Sequence, residues 1–301
     1  MEGEYILKFQ DDGGRFSDGE ASIVIDLPDK TDALIVQTRR EDQDSPQFQG
    51  NKTNVAYDSS TNSLNLTGVA LFDTITDFNA VLSVDDLGGI SPSGTYEFKD
   101  TLDLESVFSI DLKRHFLTQA FFPSDLFDAR GLIDDMNDFD GVKATDVNAE
   151  LVVRITQDDP SSASPTYTPY QTFANGSYKG RGFQFKANLT SKDPAQDIKI
   201  TQLGYTLSLP RRTEQSTGTI ASGTGVKNIV FDHKFFTGTT SLLGSNSNPP
   251  SIGITATDMT SGDYFVLSNI SSTGFSIHFK DSSNNSINRN FTYQAVGFGK
   301  G

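Results

Sequence analysis

Cysteine and tryptophan are both absent from this chain of 301 residues. Without cysteine there is no disulfide framework and no thiolate to hold a metal, so stability must come from packing and from association between copies. Cations are scarce as well: 24 Lys and Arg stand against 39 Asp and Glu, a formal net charge of -15 at pH 7. That balance opposes nucleic acid and anionic membranes, which attract cationic surfaces, and leaves cations, neutral glycans and proteins as expected partners. No apolar run approaches the roughly 20 residues a membrane-spanning helix needs, so no membrane insertion is expected. The first residues, MEGEYILKFQDDGG, are acidic where a secretory signal would need a basic region and an apolar core, so if the protein works outside a cell it is expected to leave by a route other than a cleaved signal, such as lysis.

Helical periodicity is nearly missing too, whereas period two dominates. Runs rich in Val, Ile, Phe, Tyr and Thr read as strands at 4–10, 21–27, 33–39, 95–104, 106–113, 148–156, 181–191 and 198–209. Further runs follow at 227–232, 251–257, 263–270, 274–280 and 289–298. Gly, Pro, Asn, Asp and Ser separate them, the pattern of antiparallel sandwiches. One short helix is expected around 124–137, with Ser124 as its N-cap. The fold class is therefore all-β, with tandem antiparallel sandwiches.

Two polar, aperiodic stretches mark expected boundaries, a linker at 40–53 and a Ser/Thr/Gly-rich linker at 211–226. They set off residues 1–39, too few strands to close a core alone, from a sandwich at 54–210 and a smaller one at 227–301. In NGSYKGRGFQFKANL, alternation places Phe183 and Phe185 in the core and Gln184 and Lys186 outside. In the last strand Phe291, Tyr293, Ala295 and Gly297 share one face, and Thr292, Gln294, Val296 and Phe298 the other. Apolar groups on both faces ask for cover on both sides, and a terminal unit of that size is marginal alone, so a homotrimer is expected.

Signatures of catalysis are weak. Asp158-Asp159-Pro160 follows a strand as a turn would, and adjacent side chains on an extended chain point apart, unlike a glycosidase carboxylate pair. The run DDMNDFDG sets Asp134, Asp135, Asp138 and Asp140 before a glycine, a candidate Ca²⁺ site. The EF-hand frame fails, because Met136 and Val147 would fall on ligand positions. His115, His233 and His278 form no nucleophile–base pattern, and neither a G-x-S-x-G elbow nor a phosphate loop is present. No catalytic residue is assigned, and the chain is read as a binder without a cofactor other than the candidate Ca²⁺. The expected recognition residues are Tyr167 and Tyr170 in SPTYTPYQTF, Asn246 and Asn248 in TGTTSLLGSNSNPP, and Asn284 and Asn285 in DSSNNSIN, because Tyr beside Ser, Thr and Asn suits adaptable contact surfaces.

The stretch from ELVVRITQDDPSSASPTYTPYQTF through KITQLGYTLSLPRRTEQS, with the ending PPSIGITATDMTSGDYFVLSNISSTGFSIHFKDSSNNSINRNFTYQAVGFGKG, resembles the C-terminal region of host-specificity, or tail tip attachment, proteins of tailed bacteriophages. The resemblance covers about residues 95 to 301. It implies a virion protein at the distal end of the tail that binds a host-surface glycan or outer-membrane protein during adsorption and neighbours other tail-tip proteins. The alternative is a structural tail-tip component that anchors fibres without touching the host. Within the resemblance, YKGRGFQFKANL and LDLESVFSIDL are similar to strands of discoidin-type, galactose-binding-like jelly rolls, and the last unit to H-type lectin-like trimers. The first strands look like the end of a fibronectin type III-like domain, which would make the chain a fragment or a split gene product; the alternative is that they are strands docking on the middle sandwich. No sugar-binding motif of characterised lectins maps onto these residues.

Overall fold

The computed structural model describes residues 3–7, 21–25, 34–69, 89–121, 146–193, 196–238 and 248–301. The expected helix at 124–137, the four aspartates of the candidate Ca²⁺ site and Asn246 lie outside them. Among the described residues there is no helix, and the paired strands run antiparallel in sandwich-like layers.

In chain order the strands are β1 (Gly3–Leu7), β2 (Ala21–Ile25), β3 (Leu34–Arg40), β4 (Asn51–Thr53), β5 (Val55–Asp58), β6 (Ser63–Leu66), β7 (Gly68–Val69), β8 (Gly89–Ile90), β9 (Ser93–Glu97) and β10 (Leu102–Phe121). They continue with β11 (Val147–Thr156), β12 (Gln171–Thr172), β13 (Gly176–Ser191), β14 (Asp197–Gln215), β15 (Ile220–Ala221), β16 (Lys227–Val230), β17 (Ser251–Ala256), β18 (Tyr264–Ser268), β19 (Gly274–Lys280) and β20 (Asn290–Phe298). The hairpin of β5 and β6 and the second half of β10 escaped the periodicity reading. In KRHFLTQAF, charged and apolar side chains are mixed on both faces, so no clean alternation signals a strand.

Strand β14 organises the whole. It pairs with β10 along most of its length, with β3 at Gly204–Pro210 and with β6 at Ile200. Its last residues, Arg211–Gln215, pair with β20. Thus the first five residues of the 211–226 stretch are strand. The 40–53 stretch likewise holds buried groups, Glu41, Asp42 and Phe48. The strand β3, from the N-terminal piece, docks on β14, while β1 and β2 pair with each other.

Two hydrophobic cores result. The larger gathers Ile110, Leu112, Leu151, Val153, Phe183, Phe185, Leu207 and Leu209 with their neighbours. The smaller packs Phe275, Ile277 and Phe279 of β19 against Phe291 and Ala295 of β20. Alternation sets the register in β13, where Phe183 and Phe185 are buried and Gln184 and Lys186 are not. Consecutive phenylalanines serve the two cores, Phe235 the smaller and Phe236 the larger. The ring of Phe236 meets Phe108 edge-on at 5.8 Å.

Strand β20 shows the expected faces, with Phe291, Tyr293, Ala295 and Gly297 buried. Part of its other face is covered within the chain, because Phe298 packs against the larger core. The terminal glycines serve the same junction. A Cβ on Gly297 would sit 2.6 Å from the Phe235 ring, and one on Gly299, whose φ is +88°, 2.8 Å from Phe108.

Buried carboxylates pin the loops. Tyr96 Oη donates to Glu41 Oε2 at 2.5 Å and accepts from Gly50 N at 2.8 Å. Burial pushes the Glu41 carboxyl above its ordinary range, although Tyr96 and Arg39 pull it down. Asp42 accepts from Leu203 N at 2.9 Å and pairs with Arg40 at 2.6 Å. Asp197 accepts from Leu66 N at 3.2 Å and from Ile198 N at 2.6 Å, tying β6 to β14. Burial raises Asp197 to about 6, against these two donors.

Two outcomes follow for stability. The Phe185 ring stacks on Tyr205 at 4.5 Å and touches Phe173 at 5.2 Å, so Phe185→Ala removes buried surface and leaves a cavity. Denaturant unfolding should register a loss of about 3 to 5 kcal/mol, and an unchanged midpoint would refute this placement. For Asp197 the folded pKa is raised, so the folded state holds the proton more tightly than the unfolded one. Its contribution is present at low pH and is lost as pH rises from about 4 through about 6. Asp197→Asn keeps an acceptor without the charge; relative to the unsubstituted chain it should gain stability above about pH 6 and little below about pH 4. A stability difference that does not vary with pH would contradict the assignment.

Candidate functional site

After Thr156 the chain leaves β11, turns, and comes back along the same strand as an added edge. Asp158 and Asp159 build that turn. Asp158 Oδ2 accepts from Thr166 N at 2.8 Å, and Asp159 Oδ1 accepts from Ser161 N at 2.9 Å and Ser161 Oγ at 2.6 Å. The Ser161 hydroxyl, ahead of the Arg181 charge, holds the Asp159 carboxyl below its usual range. Arg181 spans this turn and the sheet, reaching Asp159 at 2.8 Å and Asp103 at 3.0 Å. Both carboxylates are thus engaged in structure, as the turn reading of Asp-Asp-Pro expects.

The returning segment forms a bridge between Tyr167 and Thr156, and Thr168 N donates to Ile155 O at 2.9 Å. It then becomes β12 opposite Val152 and Val153, and Phe173 drops into the core. Pro165 and Pro169 lack an amide hydrogen and suit an outermost strand, which needs no donor on its free side. The segment is anchored at both ends by buried or paired groups while its middle faces solvent.

Anchoring carries Tyr167 and Tyr170 onto the outer face of β11 and β13. There Arg154 stands directly across from Gln184, and its Nε donates to Gln184 Oε1 at 2.8 Å. Gln184 in turn donates to Thr101 Oγ1 at 3.0 Å. The Arg154 guanidinium lies 4.6 Å from the Tyr167 ring centroid and 4.8 Å from that of Tyr170. Lys186 Nζ lies over the Tyr170 ring at 4.1 Å. Such pairings are attractive because the ring face carries partial negative charge. Burial pushes both phenols above the ordinary tyrosine value, with Arg154 opposing. Tyr167 Oη is buried without a hydrogen-bond partner.

The remaining expected residues sit elsewhere. Asn284 and Asn285 shape the turn between β19 and β20: Asn284, at φ +66°, accepts from Tyr264 Oη at 2.6 Å and Lys280 Nζ at 2.8 Å. Asn285 donates through its backbone N to Asp281 Oδ1 at 2.8 Å. Exposed Asn248 donates its backbone N to Thr237 O at 2.7 Å. The structure therefore brings together two of the expected residues, Tyr167 and Tyr170. Periodicity labels Gln184 and Lys186 only as outward-facing strand positions and leaves Arg154 without comment inside the 148–156 run, and the cross-strand register is what gathers the three beside the tyrosines.

A separate cleft of about 390 Å³ lies near the junction of the two cores, lined by Glu105, Val107, Gln157, Arg181, His233 and Lys234 among others. Its lining includes part of the irregularity in β10 between Asp103 and Phe108, where Glu105 adopts φ +61°. Of the other histidines, His115 Nε2 meets Thr206 Oγ1 at 2.8 Å, and burial, then Arg40 and Lys113, disfavour its protonation. His278 Nε2 meets Ser286 Oγ at 2.8 Å on an outer face. No family model matches the chain, and no curated protein matches it.

Proposed function

We propose that the chain is a receptor-binding module of a tailed-phage tail tip, located at the distal end of the virion, and that it adsorbs to a host-surface glycan or outer-membrane protein. The observation that carries this is the Tyr167–Arg154–Tyr170 stack on the outer face of a rigid sheet, beside exposed Ser161, Ser162, Ser164, Thr166 and Thr168. Large planar side chains with few rotatable bonds gain contact area at low entropic cost, and strand-borne groups are held more firmly than loop-borne ones. The resemblance of residues 95 to 301 to phage host-specificity proteins supports the same reading. So does the involvement of Asp158 and Asp159 in turn structure, which favours binding over hydrolysis at that position.

The binding unit in this proposal is a homotrimer associated with other tail-tip proteins. Strands β16, β19 and β18 form a sheet whose two outer strands are unpaired on one side among the described residues. Val226 and Val230 are exposed at or beside one edge, the latter at 76%, and Tyr264, Phe265 and Val266 at the other. Closing copies into a ring would cover both edges, remove an aggregation-prone surface and multiply weak contacts through avidity. A purely structural tail-tip role would use those edges as well, but it gives the Tyr167–Tyr170 surface nothing to do.

Labelled chain applied to a panel of bacterial strains should adsorb saturably to some of them. Tyr167→Ala combined with Tyr170→Ala should weaken adsorption by more than about tenfold, as removal of central interface residues does. Absence of adsorption to any strain, or adsorption untouched by the double substitution, would overturn the proposal. Light scattering at micromolar concentration should show three copies; a monodisperse monomer would refute the trimer.

A further inference from the structure

We infer that the Arg154–Lys186–Tyr170 cluster selects an anionic sugar, a pyranose bearing a carboxylate or phosphate group; this rests on the receptor-binding reading above. On composition, a chain of net charge -15 should repel anions and favour neutral glycans. At the cluster, two cations not held in ion pairs among the described residues gather around the Tyr170 ring, with the Glu97 and Asp103 carboxylates farther off but near enough to act on the two phenols.

Most arginines among the described residues are neutralised. Arg39, Arg40, Arg181, Arg212 and Arg289 each carry a carboxylate partner at 3.3 Å or less. Arg154 differs: its Nε is held by a neutral amide and its guanidinium lies near two rings. Among the described residues no carboxylate forms an ion pair with it. Among the described residues neither Nη makes a hydrogen bond, and neither is a buried unpartnered atom, so both meet solvent. A guanidinium held by its Nε and by rings keeps its outer N–H edge for an oxyanion, the geometry that favours paired hydrogen bonds to carboxylate or phosphate.

Lys186 provides the second charge. Its Nζ shares the Tyr170 ring with Arg154, and both cations lie within 4.8 Å of that ring's centroid. Glu97 is opposite Lys186 in the register, yet among the described residues the two form no ion pair. Two like charges around one ring repel each other, and an anion between them relieves that repulsion. Tyr170 adds an aromatic surface, and its hydroxyl, unlike that of Tyr167, is not buried without a partner. A charged group to neutralise the cations and a ring to lie against the aromatic surface together describe an acidic sugar rather than a free anion.

The test is calorimetric titration of the full chain with oligogalacturonate, with its fully methyl-esterified form and with glucose 6-phosphate. The acid should bind at least about tenfold more tightly than the ester, weaken as salt is raised, and lose that preference in Arg154→Gln. Lys186→Gln serves as a second variant, and an unchanged thermal midpoint in either establishes that the fold is kept. Competition by glucose 6-phosphate but not by inorganic phosphate would assign a phosphosugar, and competition by neither would assign the carboxylated class. Equal binding of acid and ester, no binding of any acidic probe, or a preference that survives both substitutions would overturn the inference. Adsorption to bacterial strains is scored separately: intact adsorption alongside failure with the acidic probes removes only the choice of sugar, whereas loss of adsorption by the unsubstituted chain removes the receptor-binding reading itself.

Discussion

One continuous strand ties this molecule together. From Asp197 to Pro210, β14 pairs with β10 and β3 and contributes Leu203, Leu207 and Leu209 to the larger core. From Arg211 to Gln215 it pairs with β20, whose inner face builds the smaller core. A strand cannot bend freely within its hydrogen-bonded ladder, so the two cores are joined by a stiff element instead of a flexible tether. Arg212 reinforces the passage: its guanidinium lies 3.9 Å from the Phe235 ring, pairs with Glu214 at 3.3 Å and donates to His233 O at 2.7 Å. Phe235 and Phe236, facing opposite cores, close the junction from the other side.

Around that strand, buried acid groups perform the role that disulfides play in smaller secreted folds. Asp42 and Asp197 accept backbone amides from distant segments, and Glu41 is hydrogen-bonded by Tyr96. These contacts satisfy donors that would otherwise be stranded where strands diverge. Their cost is desolvation, visible in the raised carboxyls of Glu41 and Asp197. The exposed turn acids behave oppositely. Asp58, held by Ser60 and Thr61, is drawn down to about 2, because hydroxyl and amide donors stabilise its charge in water. One residue type thus meets two electrical environments according to depth.

The tyrosine surface depends on the same rigidity. Arg154 and Lys186 are on neighbouring strands of a sheet whose inner face is filled by Phe183, Phe185 and Val153, so their backbone positions are set by the core. Tyr167 and Tyr170 arrive on an added edge pinned by the Asp158 and Asp159 turn and by Phe173. The proposed recognition surface is therefore built mostly from groups whose positions are determined by packing beneath them, a condition for binding without large ordering costs.

Much of the architecture was legible in the residues themselves. Period-two alternation located most strands, because a side chain's face follows from its parity along a strand. For that reason Phe183 and Phe185 are placed inside by alternation alone, and Phe291 and Tyr293 are placed on one shared face, whereas their burial is decided by the packing of β19 against β20. Asp-Asp-Pro declared a turn through local chemistry, and Tyr167 and Tyr170 stood out as tyrosines among prolines and threonines. The tertiary structure alone decided what depends on register and long-range pairing. Polar residues 40–44 looked like a linker, yet Glu41 and Asp42 are buried, because their partners Tyr96 and Leu203 are remote in sequence. Residues 211–215 looked like another, yet they are strand, because β20 lies beside them. Gln184 and Lys186 are unremarkable outward positions and Arg154 an unmarked strand residue in the sequence, and the pairing of β11 with β13 sets them beside one another and under the tyrosines. Parity along a strand is a local property that a sequence states directly; which strands become neighbours is settled by loop closure and by burial summed over the whole chain, and no short stretch contains that information.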